Sequence, residues 1–238
     1  MKKIELRKIP CGNAFEVFGE KFVVLDHSAD GVLSIRNDNW KDAPFDRDAK
    51  NDLREASVLG VLKDYEWILR SNGADDDDLL PLHIDLKATD GTRTYGYIER
   101  TVGILTLEQY GKYKDIIPFA SKWWWLASPW TTRWLRTHII RPTHYTWFVH
   151  SNGDYNSNDC SCHGGVRPVL NFAPLRLVSP VDLDNGRKDD KEKAWEAYHE
   201  YLSCWMEDDT FSGGHYGDSP LSFVEWMEDL YEPECDEE

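Results

Sequence analysis

The sequence predicts an α+β fold, and three observations predict it. Short stretches that alternate apolar and polar residues fill the start of the chain, broken by Gly and Asp-Gly. Two later stretches repeat apolar residues at helical spacing. A tryptophan run, Trp123-Trp124-Trp125, is followed by an aromatic strand pattern and then by Gly164-Gly165-Val166-Arg167-Pro168-Val169-Leu170. Period-two alternation marks a strand with one buried face, and a three-to-four repeat marks an amphipathic helix.

In chain order, residues 4–9 alternate and read as a strand ended by Pro10 and Gly12. Residues 15–25 read as a hairpin turning at Gly19-Glu20, where glycine supplies the positive φ. A turn at Asp30-Gly31 leads to a strand over 32–35. Residues 51–63 are helical, with Asn51 or Asp52 accepting from the free N–H groups of the first turn. Asp75 to Asp78 are four adjacent carboxylates, expected to repel one another and stay solvated. Strands follow over 82–86 and 102–105, with a turn at Asp90-Gly91 between them. Thr106 caps a helix that carries Tyr110, Tyr113 and Ile117 on one face and stops before Pro118.

Charge divides the chain. Residues 178–238 hold 19 of the 43 acidic residues and 4 of the 27 basic ones, a net of −15, which leaves −1 for residues 1–177. The expected division is therefore a body over 1–177 and an acidic helical extension over 178–238. Helix patterns there cover 191–206 and a segment opened by Ser219-Pro220. So acidic a chain lacks the excess Lys and Arg that phosphate-backbone binding needs, so nucleic acid is not an expected direct partner. No apolar stretch approaches the ~18 residues of a membrane span, and the basic start has no apolar core of a secretory signal. Five cysteines, Cys11, Cys160, Cys162, Cys204 and Cys235, follow no disulfide spacing, so free thiols in a cytoplasmic protein are expected.

The short strands around FGEKFVVLD, the NDLRE segment, LTLEQYGKYKDIIP, WWWLASP and GVRPVL stand in a characteristic order. In them the chain resembles the bacterial and phage-associated domain of unknown function 6273, from about Pro10 to Leu177. That family is thought to be related to C-type lectin-like folds, including formylglycine-generating enzymes and the variable proteins of diversity-generating retroelements. The resemblance implies a C-type lectin-like body with short antiparallel strands and two flanking helices, in which strands begin at Trp123, occupy 147–150 and end the body over 166–170, with the turn Ser151-Asn152-Gly153-Asp154 before the last. It implies Trp123, Trp124, Trp125, Gly165, Arg167 and Pro168 as a structural signature, with Arg167 a brace whose donors meet backbone carbonyls or a carboxylate. The family commonly carries Arg where this chain has Ala127.

Cys160-Ser161-Cys162-His163 is the one cluster of metal-ligand types, but zinc sites usually draw on two separated pairs, so no metal and no cofactor are expected. The formylglycine-generating enzymes use a reactive cysteine pair, which keeps Cys160 and Cys162 open as a comparison. No G-x-S-x-G elbow and no phosphate-binding glycine loop occur, and no catalytic residue stands out. Tyr145, Trp147, His150, Asn152, Asp154, Tyr155, Asn156 and Asn158 suit ligand recognition, because rigid aromatic rings alternate with adaptable polar groups. The same pattern also fits a strand with one buried face and an Asn-Gly turn.

The expected function is a non-enzymatic binding protein of bacterial or phage origin, recognising a protein or a small polar ligand through this aromatic and Asn-rich surface. An acidic anti-defence protein, for example an anti-CRISPR that blocks a basic nucleic-acid-binding partner, is the alternative. An enzyme with an unrecognised site is a third reading. Neither membrane nor nucleic acid is an expected direct partner.

Overall fold

The computed structural model describes residues 3–28, 31–132 and 142–181. The chain divides into a unit over Met1–Leu183 and a second over Asp184–Glu238. The expected tail helices, Asp30 of the expected turn, Cys204 and Cys235 lie outside the described residues. Among the described residues no helix is long and apolar enough to cross a membrane. Among the described residues the architecture is α+β, dominated by sheet, with two α-helices.

The strands are β1 (Ile4–Glu5), β2 (Ala14–Val17), β3 (Glu20–Ser28), β4 (Gly31–Arg36), β5 (Lys41–Pro44), β6 (Leu79–Leu80), β7 (Leu82–Asp85), β8 (Tyr97–Arg100), β9 (Val102–Gly103), β10 (Trp124–Pro129), β11 (Tyr145–Val149), β12 (Tyr155–Asp159), β13 (His163–Val166), β14 (Val169–Phe172) and β15 (Leu177–Val181). The helices are α1 (Val58–Ser71) and α2 (Leu107–Tyr113). One sheet runs β1-β15-β2-β3-β4-β14-β6, with β9 also on β14. A second runs β12-β11-β10-β13-β5, and β7 pairs with β8 alone. Among the described residues every pair is antiparallel except β10 with β13.

The opening hairpin turns at Phe18-Gly19, one residue before the expected Gly19-Glu20. Both residues have positive φ (53° and 74°), the type I′ geometry whose twist matches the flanking strands. The expected strand over 4–9 is only β1, because Leu6–Lys8 coils into a 3-10 turn that buries Leu6. Helix α1 begins seven residues later than expected. Val58, Leu62, Tyr65 and Leu69 form its buried stripe. Asn51 does not cap it. Asn51 is buried, and its amide donates to the carbonyls of Thr131 and Tyr145, both at 2.9 Å. Helix α2 has its expected cap: Thr106 Oγ1 accepts from Gln109 N, and Gln109 Oε1 accepts from Thr106 N.

The run Asp75 to Asp78 is not uniformly solvated. Asp78 is buried, and both its oxygens accept from Arg176 Nη1 at 2.8 and 2.9 Å. Asp76 takes Arg70, and Asp75 Oδ1 accepts the amides of Asp77 and Asp78, so partners offset the mutual repulsion. The body also runs past its expected boundary at 177. Residues of β15 pair with both β1 and β2, so the sheet continues to Val181.

The chain passes from one sheet to the other at Arg167-Pro168, between β13 and β14, which splits the strand expected over 166–170. Arg167 is fully buried. Its Nε donates to Arg36 O at 2.9 Å, Nη1 to Pro118 O at 2.9 Å and Nη2 to Asn37 O at 2.6 Å. Its guanidinium lies over the Trp124 ring, 5.2 Å from the centroid. Gly164 and Gly165 are not among the glycines of positive φ. They are small for want of space. A Cβ on Gly164 would lie 2.2 Å from the Trp123 ring, and one on Gly165 would lie 2.2 Å from the Asn39 amide nitrogen.

Truncating Arg167 would leave three partly buried carbonyls without their donor and remove the cation from the Trp124 ring. Arg167→Ala should cost about 2–4 kcal/mol by chemical denaturation, the scale for breaking a buried charged network. Gly164→Ala should also destabilise, by about 1–3 kcal/mol, as overpacking does. A parent-like midpoint in either variant would refute the corresponding packing argument.

Candidate functional site

The expected recognition residues lie on the hairpin of β11 and β12 at one side of the five-stranded sheet. The hairpin pairs Tyr145 with Asp159, Trp147 with Ser157, Phe148 with Asn156 and Val149 with Tyr155. Its loop is Ser151-Asn152-Gly153. His150 N donates to Asp154 O at 2.7 Å, Gly153 N donates to His150 O at 3.1 Å, and Gly153 has φ of 90°. This is a type I turn followed by a left-handed glycine, a common three-residue hairpin closure. Asn152 Oδ1 accepts from Asp154 N at 3.0 Å, so both polar turn residues serve the turn itself.

Strand alternation then divides the set. Cross-strand partners share a face, and residues two apart share it too. Tyr145, Trp147 and Tyr155 fall on the face that carries Val149 and Trp124. His150, Asn156 and Asn158 fall on the opposite face with Phe148 and Trp125. The eight residues therefore do not form one surface.

The first face is a row of rings leading outward from the core. Trp124 meets Tyr110 at 5.7 Å, Tyr110 meets Tyr155 at 6.3 Å, and Tyr155 meets Trp147 at 5.7 Å between centroids. Farther along, Tyr145 packs on Trp130 at 6.0 Å. Tyr155 is 53% exposed, whereas Trp124 is buried. Trp147 is half-buried, and its indole nitrogen is shut off from solvent with no hydrogen-bond partner among the described residues. By contrast, the fully buried Trp125 donates its N–H to Ala43 O at 3.0 Å.

Tyr110 and Asn51 are site-building residues that sequence reasoning did not place. Tyr110 donates its hydroxyl to Gly153 O, which ties the hairpin turn to α2. Burial pushes its phenol up to about 12, and the Asp154 charge adds to the effect. Asn51, besides donating to Tyr145 O, accepts from Tyr95 OH at 2.9 Å. A polar residue before a helix is most simply read as a cap, so nothing local in the sequence signals this long-range role.

On the opposite face, His150 stacks edge-on against Phe148 at 4.7 Å, and Phe148 meets Trp123 at 4.9 Å. Asn156 Oδ1 accepts from Ser157 N and Asn158 Oδ1 from Asp159 N, at 2.8 and 2.9 Å. Cys160 is buried, and burial, then the charges of Asp159 and Asp46, hold its thiol far above the usual range. A thiol held protonated is a poor nucleophile. Cys162 Sγ lies 3.7 Å from Asn158 Oδ1. Among the described residues no three His, Cys, Asp or Glu side chains gather as metal ligands would.

Comparison with protein-family models, with curated proteins and with solved structures finds no match to this chain.

The raised Tyr110 phenol yields a pH prediction. Its folded value of about 12 exceeds the unfolded value of 10. Its contribution to stability is therefore full below pH ~10 and is lost as pH rises towards ~12. The stability difference between the parent and Tyr110→Phe should shrink across that window, measured by denaturant unfolding. A difference that stays constant would mean that the hydroxyl does not titrate late.

Proposed function

We propose that this chain is a non-enzymatic binding protein, cytoplasmic and of bacterial or phage origin, built on a C-type lectin-like body. Its ligand is a protein or a small polar molecule, met by the ring face of Tyr145, Trp147 and Tyr155. The order of WWWLASP and GVRPVL, which form β10 and the β13–β14 crossing, supports the family resemblance.

The observation that carries the reading is Trp147. A donor withdrawn from water without an acceptor among the described residues costs stability, and a ligand oxygen that met it after a small shift of the ring would recover that cost. Tyr155 next to it offers a rigid, half-exposed ring with little conformational entropy to lose. Large apolar contact beside a convergent polar donor is what compact ligand sites use.

A second reading rests on the charge of residues 178–238. A net of −15 there would attract a basic partner and suit an acidic antagonist of a nucleic-acid-binding protein. Ionic strength separates the two, because attraction between exposed charges is screened by salt.

The test is a calorimetric screen of the full chain against saccharides, nucleosides, amino acids and short peptides. Binding of a hit should weaken about tenfold or more in Tyr155→Ala and in Trp147→Phe, which keeps a ring but removes the donor. His150→Ala, on the opposite face, should leave affinity within about twofold, as residues outside a contact do. A ligand whose affinity ignores Tyr155 and Trp147 would overturn the reading. Steep loss of binding with salt would favour the acidic antagonist.

A further inference from the structure

Strand β12 is the outermost strand of the five-stranded sheet among the described residues, and its sequence is YNSND. His150 N donates to Asp154 O at one end of the hairpin, and Cys160 N donates to His144 O at the other. Bonded and non-bonded pairs alternate in an antiparallel ladder. Asn156 and Asn158, which lie at even steps between Asp154 and Cys160, therefore turn their backbone groups towards β11. Tyr155, Ser157 and Asp159 turn theirs outward. Outward N–H and C=O groups are the template on which a further strand adds.

Two of these three outward amides are already taken by side chains. Ser157 N donates to Asn156 Oδ1 at 2.8 Å, and Asp159 N donates to Asn158 Oδ1 at 2.9 Å. Just beyond the strand, Ser161 N donates to Asp159 Oδ1 at 2.8 Å. The remaining outward amide, at Tyr155, sits at the turn end, where one donor cannot start a ladder. At the far side of the same sheet, β5 carries Lys41 and Pro44, residue types that discourage strand pairing at an edge.

We infer that Asn156 and Asn158 are edge guards: each side chain occupies the next residue's outward amide and so closes β12 to a second copy of this chain. A polar strand with two self-directed asparagines remains available for face contacts but not for backbone pairing. The inference holds whatever the ring face binds, because it concerns the strand's edge and uses neither the Trp147 nor the Tyr155 ring.

The test compares two double variants of the full chain. Asn156→Leu with Asn158→Leu keeps side-chain size and removes the acceptors. Asn156→Asp with Asn158→Asp keeps an acceptor oxygen. Residue-resolved amide exchange is read at a dilution where all three proteins sediment alike, and sedimentation velocity is then followed as concentration rises. In the leucine pair the Ser157 and Asp159 amides should exchange about tenfold faster or more than in the parent, as amides without an acceptor do. The Asn156 and Asn158 amides, bonded to β11, should not change. The leucine pair should also associate at concentrations where the parent and the aspartate pair do not. Should the leucine pair fail to fold, Asn156→Ala with Asn158→Ala is read by the same two measurements. Unchanged exchange at Ser157 and Asp159, or unchanged association, would overturn the proposal.

Discussion

A guanidinium shut away from water at the point where the chain changes sheets is the constraint on which much of this structure depends. Arg167 cannot shed its charge, so its N–H groups must all be met where it lies. The carbonyls of Arg36 and Asn37 come from the end of β4, and that of Pro118 from the segment after α2. The Trp124 ring supplies a face for the cation. One side chain thus ties β4, β10 and the exit of α2 to the crossing between β13 and β14. Pro168 contributes by accepting from Arg36 N at 2.9 Å while having no N–H of its own to satisfy.

The ring face of the hairpin inherits its geometry from that brace. Trp124 is held by Arg167, Tyr110 packs against Trp124, and Tyr110 in turn binds the Gly153 carbonyl and touches Tyr155. A Cβ at Gly153 would lie 2.8 Å from Phe119, so the turn is seated closely on the segment after α2. The exposed end of the ring row is therefore an extension of the core and not a loose loop. Rigidity of this kind lowers the entropy lost on binding. The polar half of the hairpin has a different task, because its asparagine oxygens are spent on their own strand.

Several elements were legible because their signals are local. The first hairpin, the Thr106 capping box and the helix of Tyr110 and Tyr113 each follow from residues within a few positions of one another. Strands β5 and β12 were not legible. KDAP and YNSND bury little, lie at the edges of their sheet and have no apolar alternation. The start of α1 was misplaced because Asn51 looks like a cap in sequence but is drawn into the interior by Tyr95, Thr131 and Tyr145. Asp78 looked solvated because its partner, Arg176, is distant in the chain.

The candidate site was legible as a composition and illegible as a surface. Aromatic and Asn-rich residues between Tyr145 and Asn158 stand out in the sequence, but strand pairing alone assigns them to opposite faces. The sequence by itself determined the α+β class, the aromatic hairpin, and the need to brace Arg167, since a fixed charge among apolar neighbours has no other stable outcome. Only the tertiary structure decided which carbonyls meet that charge, why Gly164 and Gly165 must lack side chains, and which rings stand together. Those depend on contacts between segments far apart in the chain, whose distances no local pattern encodes.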